Sequence, residues 1–455
     1  MLGGLLAGNR NTNGSFNNLS SNGNFWSSVQ SGSNAWNRNL NSGNATVNRN
    51  ANSKANGFSV RCLKNWHLPP VLMDNFFQKQ LLYDLFQAYY DARENKRNTI
   101  NALKFEIDYE KKLFGLYEDL LSGKYEIGPS ICFISFNPVK REVFAADFRD
   151  RIIHHLIYNY ISPFFENLFI NDSYSCRPGK GTSCGIKRLN YFIRSCSENY
   201  KKNCYILKLD IEGYFMSIDK NILYKKVESL LQTKRPNLDL DFLLPLIRKV
   251  IFHDPIKNCI IRGRRADWFG LPKSKSLFYA GKNKGLPIGN LTSQLFGNVY
   301  LNDFDHFMKR KLVLRYYGRY VDDIVIVHQN KEYLKSIIPT VRKYLKDNLF
   351  LELHPNKIYI QYFSKGVSFL GAIIKPYRIY VKNKTKGNFY KKLIIWRRII
   401  SEKGGKITKN DLKKILACVN SYLGIMGQYN THKLRKAVLK KSLGGGLKRK
   451  NFSFS

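Results

Sequence analysis

The sequence predicts an α+β protein, and three observations support that fold class. Short apolar runs rich in β-branched and aromatic residues alternate with longer stretches of helical periodicity, so predicted strands repeatedly lead into predicted helices. One predicted strand, within residues 204–215, carries an acid, Asp210, near its end. A second apolar run, residues 317–327, contains two adjacent acids, Asp322 and Asp323. At 455 residues the chain is long enough for two or three domains.

Composition indicates a polyanionic partner. Lys and Arg total 75 against 33 Asp and Glu, a formal net charge of +42. No apolar run approaches the ~20 residues of a membrane span, and residues 1–8 lack the basic start of an export signal. We therefore expect a nucleic-acid partner, no membrane and a cytoplasmic protein. None of the eight cysteines forms a Cys-x-x-Cys pair, which argues against zinc and favours reduced thiols.

Residues 1–65 differ from the rest of the chain. They contain 17 Asn, abundant Gly and Ser, and no acid. Such a composition cannot bury much apolar surface, so it predicts a disordered, low-complexity segment. Phe25-Trp26 and Trp36 are unusual for a featureless tail.

The next part of the chain predicts helices followed by two strands. Residues 74–122 are helix-rich, with Asp74 as a candidate N-cap and a second helix through residues 105–114. Residues 131–146 indicate two strands joined by a turn at Asn137-Pro138. A helix is expected directly afterwards.

The two acidic sites together indicate metal-dependent chemistry. Residues 312–317 also have strand character, so we predict a β-hairpin with Asp322 and Asp323 at or beside its tip. Adjacent acids in an apolar run are unfavourable to bury unpaired, and a cation would relieve this. Taken alone, the pair would more often be an ordinary Asp turn. With Asp210 at a strand end, however, the set is what two divalent metals about 4 Å apart require for phosphoryl transfer.

Two glycine-containing segments have both a structural and a functional interpretation. Residues 172–182 form a basic loop whose glycines and Arg177 suit phosphate contact, although an isolated segment of this kind is more often a surface turn. Residues 285–295 precede an apolar helix, and Gly289 allows a close approach of a base pair. The same stretch is a normal helix start with Asn290 or Thr292 as cap.

These motifs resemble those of reverse transcriptases. The resemblance is carried by Tyr320-Val321-Asp322-Asp323, by Leu209-Asp210-Ile211 with Phe215 after it, and by residues 285–295, where most relatives have Gln in place of Ile288. It covers roughly residues 75–440. It implies a right-hand polymerase fold, divided here into the Asn-rich segment (1–65), fingers with N-terminal helices (66–205), a palm (206–374), and a basic helical thumb with tail (375–455).

The resemblance also implies a catalytic centre. Asp210, Asp322 and Asp323, with the carbonyl of Ile211, would hold two Mg²⁺ ions, with Mn²⁺ as the alternative. Phe215 would pack beneath the nucleotide sugar and exclude a 2′-hydroxyl group. Template RNA, a DNA primer strand and dNTPs are the implied partners.

Further substrate contacts follow from the same resemblance. Arg177 and Lys180 would contact template or nucleotide from the fingers. Ile288, Gly289 and Gln294 belong to the template- and nucleotide-positioning motif. Lys357 would approach the incoming triphosphate.

The C-terminal region predicts a nucleic-acid surface. Residues 375–455 contain 22 Lys or Arg but only Glu402 and Asp411 as acids, which favours a phosphate-tracking surface over a merely solvated face. Helical patterns run through this region, and residues 443–450 suggest a flexible basic tail. Residues 366–371 resemble the primer-grip turn of the family.

Two features resemble one subfamily, the reverse transcriptases of diversity-generating retroelements. The first is the form Ile288-Gly289-Asn290-Leu291-Thr292-Ser293-Gln294. The second is residues 57–62, which resemble the end of the domains that these elements diversify, so residues 1–65 would be translated template repeat. The subfamily implies error-prone cDNA with errors at template adenines, a small basic accessory protein, and a bacterial or phage origin.

Two alternatives remain open. The chain could be a retron, group II intron or phage-defence reverse transcriptase, although Ile288 in place of Gln speaks against these. It could also be an inactive RNA-binding scaffold, against which the intact set of three acids speaks.

Overall fold

The computed structural model describes residues 7–19, 21–41, 47–58, 76–94, 96, 99–136, 139–234, 238–402, 408–429 and 431–442. The chain forms two compact units, Met1–Gln78 and Lys79–Ser455. Among the helices in these described ranges, none is long and apolar enough to cross a membrane.

The Asn-rich unit contains a five-stranded sheet. Its strands are β1 (Ala7–Arg10), β2 (Phe16–Leu19), β3 (Asn22–Ser31), β4 (Asn34–Asn41) and β5 (Val47–Ser53), in the order β2-β1-β3-β4-β5.

Asparagine amides pair across these strands. Asn39 Nδ2 donates to Asn24 Oδ1 at 2.7 Å, and Asn52 Nδ2 donates to Asn37 Oδ1 at 3.2 Å. Asn24 and Asn37 are buried, and cross-strand hydrogen bonds satisfy their amides. The prediction of disorder is therefore wrong for the described part of this segment. Of the motif at residues 57–62, only the first two residues lie within the described ranges.

Three helices come first after this sheet, namely α1 (Phe76–Glu94), α2 (Ile100–Glu106) and α3 (Tyr109–Leu121). The prediction of one continuous helix through residues 105–114 is wrong, because the chain breaks at Asp108. This residue has a φ of 72°, a left-handed conformation that interrupts a right-handed helix. The predicted N-cap Asp74 lies outside the described residues.

Two predicted strands and the helix after them are confirmed. Strands β6 (Ile131–Ser135) and β7 (Arg141–Ala145) pair antiparallel. Helix α4 (Phe148–Glu166) follows, capped by Asp147, whose carboxylate accepts from the Arg149 backbone N–H at 3.1 Å. The Asn137-Pro138 turn lies outside the described residues.

A run of elements then leads into and out of the strand that carries Asp210. They are α5 (Thr182–Cys196), β8 (Tyr205–Asp210), α6 (Tyr214–Ser217), α7 (Lys220–Lys234), α8 (Leu240–Phe252) and β9 (Ile260–Ile261). Strand β9 pairs parallel to β6 and completes a small sheet in the order β7-β6-β9.

The central sheet is completed by later elements. These are α9 (Leu291–Tyr300), α10 (Asn302–His306), β10 (Tyr317–Tyr320), β11 (Asp323–His328), α11 (Lys331–Leu349) and β12 (Tyr359–Tyr362). The sheet is antiparallel in the order β10-β11-β8-β12. Its Ile206 and Val325 pack in one buried apolar cluster with Leu189 and Phe192 of α5.

The first strand of the predicted hairpin is shorter than expected. We predicted a strand from residue 312, but β10 begins at Tyr317. Val313 has a φ of 51°, which is incompatible with extended backbone, and a π-helical turn at Phe307–Lys311 comes just before it.

The C-terminal part contains a three-stranded sheet and three helices. The strands are β13 (Val367–Phe369), β14 (Ala372–Lys375) and β15 (Arg378–Val381), and the helices are α12 (Asn383–Glu402), α13 (Lys409–Gly427) and α14 (His432–Ser442). Phe389, Ile415, Val419 and Met426 form a buried core among the helices. The prediction of helices in this basic region is confirmed; residues 443–450 lie outside the described ranges.

Candidate active site

Strand register brings the three predicted acids to one end of the central sheet. Asp323 in β11 lies directly opposite Asp210 in β8. Strands β10 and β11 are joined by a two-residue turn, Val321 and Asp322, so the predicted hairpin is confirmed. The backbone N–H of Ile211 donates to the carbonyl of Asp322 at 3.3 Å, which ties the turn to the end of β8.

Two lysines form ion pairs with these acids. Lys208 Nζ lies 2.9 Å from Asp323 Oδ1 and also donates to the carbonyl of Ser368 at 3.2 Å. Lys357 Nζ lies 2.8 Å from Asp210 Oδ1. The Lys208 side chain is 15% exposed and that of Lys357 is 44% exposed. Lys208 is therefore a buried structural partner, whereas Lys357 can exchange its partner at little cost.

Burial makes negative charge unfavourable at the tip of the hairpin. It raises the pKa of Asp322 to about 6, and the neighbouring carboxylates of Asp210 and Asp323 add to the rise. Burial also raises the pKa of Asp323, although Lys208 opposes the shift. The site would consequently gain from a cation close to Asp322.

The donor chemistry of the site fits a magnesium ion. Carboxylate oxygens are the hard ligands that Mg²⁺ prefers. The pKa of Asp322 is raised first by burial and then by the carboxylates of Asp210 and Asp323, which lie within electrostatic reach. In the described part of the chain, however, no three His, Cys, Asp or Glu side chains are already grouped as a metal site. Coordination by Asp210, Asp322 and Asp323 therefore stays a prediction.

A buried arginine supports the turn that carries Asp322. Arg319 Nε and Nη2 donate to the two carboxylate oxygens of Asp305 at 2.8 and 2.6 Å, and both side chains are fully buried. Arg319 Nη1 donates to the carbonyl of Val321 at 2.9 Å. Val321 has a φ of 56°, which is strained for a β-branched residue. The Arg319–Asp305 pair thus holds a strained turn in place.

Sequence reasoning missed the roles of Arg319 and Asp305. The available signal was a charged residue inside an apolar strand, because a buried arginine needs an acid partner. The partner, Asp305, lies in another element, α10, so the strand pattern alone did not identify it. The pairing of Lys208 with Asp323 was not predicted either.

Phe215 and Ile288 lie in one apolar environment. Both are half-buried and pack against a cluster that includes Phe144 and Leu277. Gly297 in α9 lies behind the Phe215 ring, and a Cβ at that position would be 3.3 Å from Phe215 Cε1. The structure therefore sets the predicted sugar-selecting residue and Ile288 of the predicted positioning motif against the same apolar cluster.

Gly289 makes its close approach to the protein itself. It has a φ of 132°, and a Cβ would lie 2.8 Å from the carbonyl oxygen of Phe144 in β7. The Phe144 N–H donates to the carbonyl of Ile288 at 2.9 Å. Asn290 occupies the N-cap position of α9, as one of the two predicted caps, and Gln294 is exposed on that helix.

Arg177 is engaged within the protein. Its guanidinium donates to the Glu166 carboxylate at 2.8 Å and to the carbonyls of Ile170 and Ser173 at 2.7 and 2.9 Å, and only 6% of its side chain is exposed. These contacts favour a structural role for Arg177, and its predicted substrate contact stays a prediction. Lys180 is partly exposed and donates to Asn171 Oδ1 at 2.6 Å.

An antiparallel sheet that presents carboxylates at one end, within a strongly basic chain, is the arrangement expected of a nucleic-acid polymerase. A family model described as "Reverse transcriptase (RNA-dependent DNA polymerase)" matches residues 140–374, just over half of the chain. The chain belongs to this family, and the predicted enzyme class, RNA-directed DNA polymerase, is confirmed.

Relatives are distant. Protein YkfC of Escherichia coli (strain K12) is 24% identical over 290 residues, which cover 56% of this chain and 69% of that protein. The "Putative COX1/OXI3 intron 2 protein" of Saccharomyces cerevisiae is 24% identical over 275 residues, 51% of this chain. The chain spans only 31% of the length of the yeast protein.

Solved telomerase structures are also similar in part. An apo telomerase from Candida tropicalis matches at a TM-score of 0.42 and 13% identity, over 72% of this chain and 60% of that one. A telomerase from Candida albicans with a fragment of telomeric RNA matches at a TM-score of 0.39 and 12% identity, over 69% of this chain and 55% of that one.

Proposed function

We propose that this chain copies an RNA template into DNA at the carboxylates of Asp210, Asp322 and Asp323. The observation that supports this most is the register that sets Asp323 opposite Asp210, with Asp322 in the adjoining turn. When bound to these side chains and to the carbonyl of Ile211, two Mg²⁺ ions would lower the pKa of the primer 3′-hydroxyl group and neutralise the leaving pyrophosphate.

Other residues of the chain position the substrates. Lys357 would turn from Asp210 towards an incoming triphosphate, and the exposure of its ammonium beside Asp210 supports this role. The Phe215 ring excludes a 2′-hydroxyl group and so selects dNTPs. In the polymerase division proposed here, residues 66–205 are fingers, 206–374 are palm, and the basic helices within 375–455 are a thumb that tracks the duplex backbone.

The test of the catalytic assignment is removal of single carboxylates. Asp210→Ala and Asp322→Ala should each abolish synthesis of cDNA on a primed RNA, because the site loses a metal ligand. RNA binding, which depends on Lys and Arg, should stay within about twofold of the parent. The control Asp347→Ala removes an exposed acid of α11 and should leave both measurements unchanged. Full-length cDNA from either active-site variant would refute the assignment.

We further propose that the enzyme belongs to a diversity-generating retroelement and makes cDNA with errors at template adenines. Ile288 supports this proposal, because an apolar side chain replaces a Gln that could both donate and accept hydrogen bonds. The Asn-rich segment of residues 1–65 supports it as translated template repeat. The enzyme would act in the cytoplasm of a bacterium, with a small basic accessory protein.

Fidelity measurements test this second proposal. Apolar contact discriminates weakly between similarly shaped partners, so the parent should be error-prone and Ile288→Gln more accurate. The measurement is sequencing of cDNA made on a defined RNA by both proteins. Errors spread evenly over the four template bases, or an unchanged error rate in the variant, would refute the proposal.

A further inference from the structure

Residues 257–284, here called the basic–aromatic segment, form a strongly positive surface beside the candidate active site. They contain eight Lys or Arg and one acid, Asp267. All the cations except Lys284 are exposed. Asp267 is used locally, because its carboxylate accepts from the backbone N–H of Arg264 at 2.9 Å. In the described part of the chain, none of the eight cations forms an ion pair, so their charge is available to a partner.

The same surface exposes aromatic rings. Phe269 is 87% exposed, Tyr279 is 63% exposed and Phe278 is 38% exposed. Lys273 Nζ lies 5.4 Å from the centre of the Tyr279 ring, so cation and ring are interleaved. A face that only needs to be solvated has no reason to present such rings to water.

A buried carboxylate holds the segment in a defined shape. Glu142 in β7 is fully buried. Its carboxylate accepts from Trp268 Nε1 at 2.7 Å, from Ser276 Oγ at 2.7 Å and from the Leu277 backbone N–H at 2.6 Å. These three hydrogen bonds fix both ends of residues 268–277. The exposed side chains of Phe269, Lys273 and Lys275 therefore project from an ordered backbone.

The segment also borders the catalytic residues. Ser274 packs so closely on Gly213 that a Cβ at residue 213 would clash with the Ser274 carbonyl. Gly213 lies three residues after Asp210. At its other end, the carbonyl of Asn283 accepts from the Lys220 backbone N–H at 2.9 Å. A strand bound on this surface would therefore lie next to the site of synthesis.

We propose that the basic–aromatic segment binds the single-stranded part of the template RNA. Cations attract the phosphates of any nucleic acid, but exposed rings add affinity only where bases are free to stack on them. In a duplex the bases are already stacked inside the helix, so the rings favour a single strand. The identity of this strand as template rests on the proposed function; binding of single-stranded RNA does not.

The test separates rings from charges in the full-length chain. The ring variant is Phe269→Ala with Tyr279→Ala, and the charge variant is Arg262→Ala with Arg265→Ala. Matched controls are Tyr83→Ala, an aromatic residue 79% exposed on α1, and Lys343→Ala with Lys346→Ala on the exposed face of α11. The probes are an unstructured single-stranded RNA of about 20 nucleotides and a duplex RNA of the same length. Binding of each RNA is measured by fluorescence anisotropy over a range of salt concentrations, without dNTPs.

The two variants should behave differently. Loss of the rings should weaken binding of the single strand about tenfold or more, with an unchanged salt slope and unchanged duplex binding. Loss of the charges should reduce the salt slope by about 0.7 for each phosphate that the variant no longer neutralises. Both controls should match the parent, and Phe269→Trp should retain affinity because it keeps a ring.

Equal weakening of single-strand and duplex binding by the ring variant, or no weakening at all, would overturn the inference. Because no synthesis is measured, this outcome is independent of the catalytic test. Failure of the Asp210→Ala and Asp322→Ala predictions would leave the binding result standing. Failure of the binding test would likewise leave the catalytic assignment standing.

Discussion

Replacing the buried Arg319 by methionine should destabilise the protein strongly. The substitution leaves the carboxylate of Asp305 buried with the Tyr317 hydroxyl as its remaining donor, at 2.5 Å. It also leaves the Val321 carbonyl without the guanidinium. Removal of one partner from a buried ion pair costs about 3–5 kcal/mol, because the other charge stays buried and uncompensated.

Calorimetry can measure this loss. With an unfolding entropy of about 2.1 cal/mol/K per residue, a unit of about 380 residues should melt about 5 °C lower for a loss of about 4 kcal/mol. The control is Lys335→Met, which breaks an exposed pair with Glu332 and should change stability by at most about 1 kcal/mol. If Arg319→Met melts within about 1 °C of that control, the reasoning is refuted.

A double variant separates stability from positioning of the turn. Arg319→Met with Asp305→Leu removes both charges, and apolar replacement of a buried pair is often neutral or stabilising. The melting temperature should therefore recover in part, because the buried Tyr317 hydroxyl is left without its acceptor. Synthesis of cDNA should stay below that of the parent, because nothing holds the strained turn at Val321 next to Asp322. Full activity in this variant would show that the turn keeps its shape unaided.

Three further predictions concern individual parts of the chain. The folded pKa of Asp322, about 6, exceeds its ordinary 3.8, so its contribution to stability is present below about pH 4 and lost as pH rises through 6. Urea unfolding with a chelator should show this loss, and Asp322→Asn should remove it. Phe215→Ala should raise rNTP use relative to dNTP, measured as the ratio of kcat/KM values, by about 10-fold or more; an unchanged ratio would exclude Phe215 from sugar selection. Deleting residues 1–64 should leave polymerisation intact, because the described strands there pair among themselves, and a large loss of activity in folded, truncated protein would contradict this.

The central sheet could be predicted because its information is local. Alternation of side chains along residues 205–211 gave the face on which Asp210 lies, and the apolar run around Asp322 and Asp323 gave the hairpin. The pairing of β8 with β11, which sets Asp210 opposite Asp323, was not predicted; the sequence only indicated that the two acidic sites share metals.

Features that depend on distant partners could not be predicted in the same way. The Asn-rich sheet is held by amide pairs such as Asn24–Asn39, which become visible only once the strands are aligned. The left-handed conformation of Asp108 interrupts a stretch that sequence pattern alone predicted as one helix. Arg177 has the residue type of a phosphate ligand, yet its guanidinium contacts Glu166. Composition and spacing give the type of residue, whereas tertiary packing decides which group it contacts.

Given the sugar-selecting role proposed for Phe215, the absence of a side chain at Gly297 offers a second position from which nucleotide choice can be changed. The Phe215 ring lies where a methyl group at residue 297 would crowd it, at 3.3 Å from Cε1. A substitution on α9 can therefore tilt the ring without changing the ring itself. Directed evolution towards ribonucleotides or modified sugars can therefore vary two positions separately, Phe215 and Gly297. Substituting Phe215 removes the ring, whereas substituting Gly297 shifts the ring by a few tenths of an ångström.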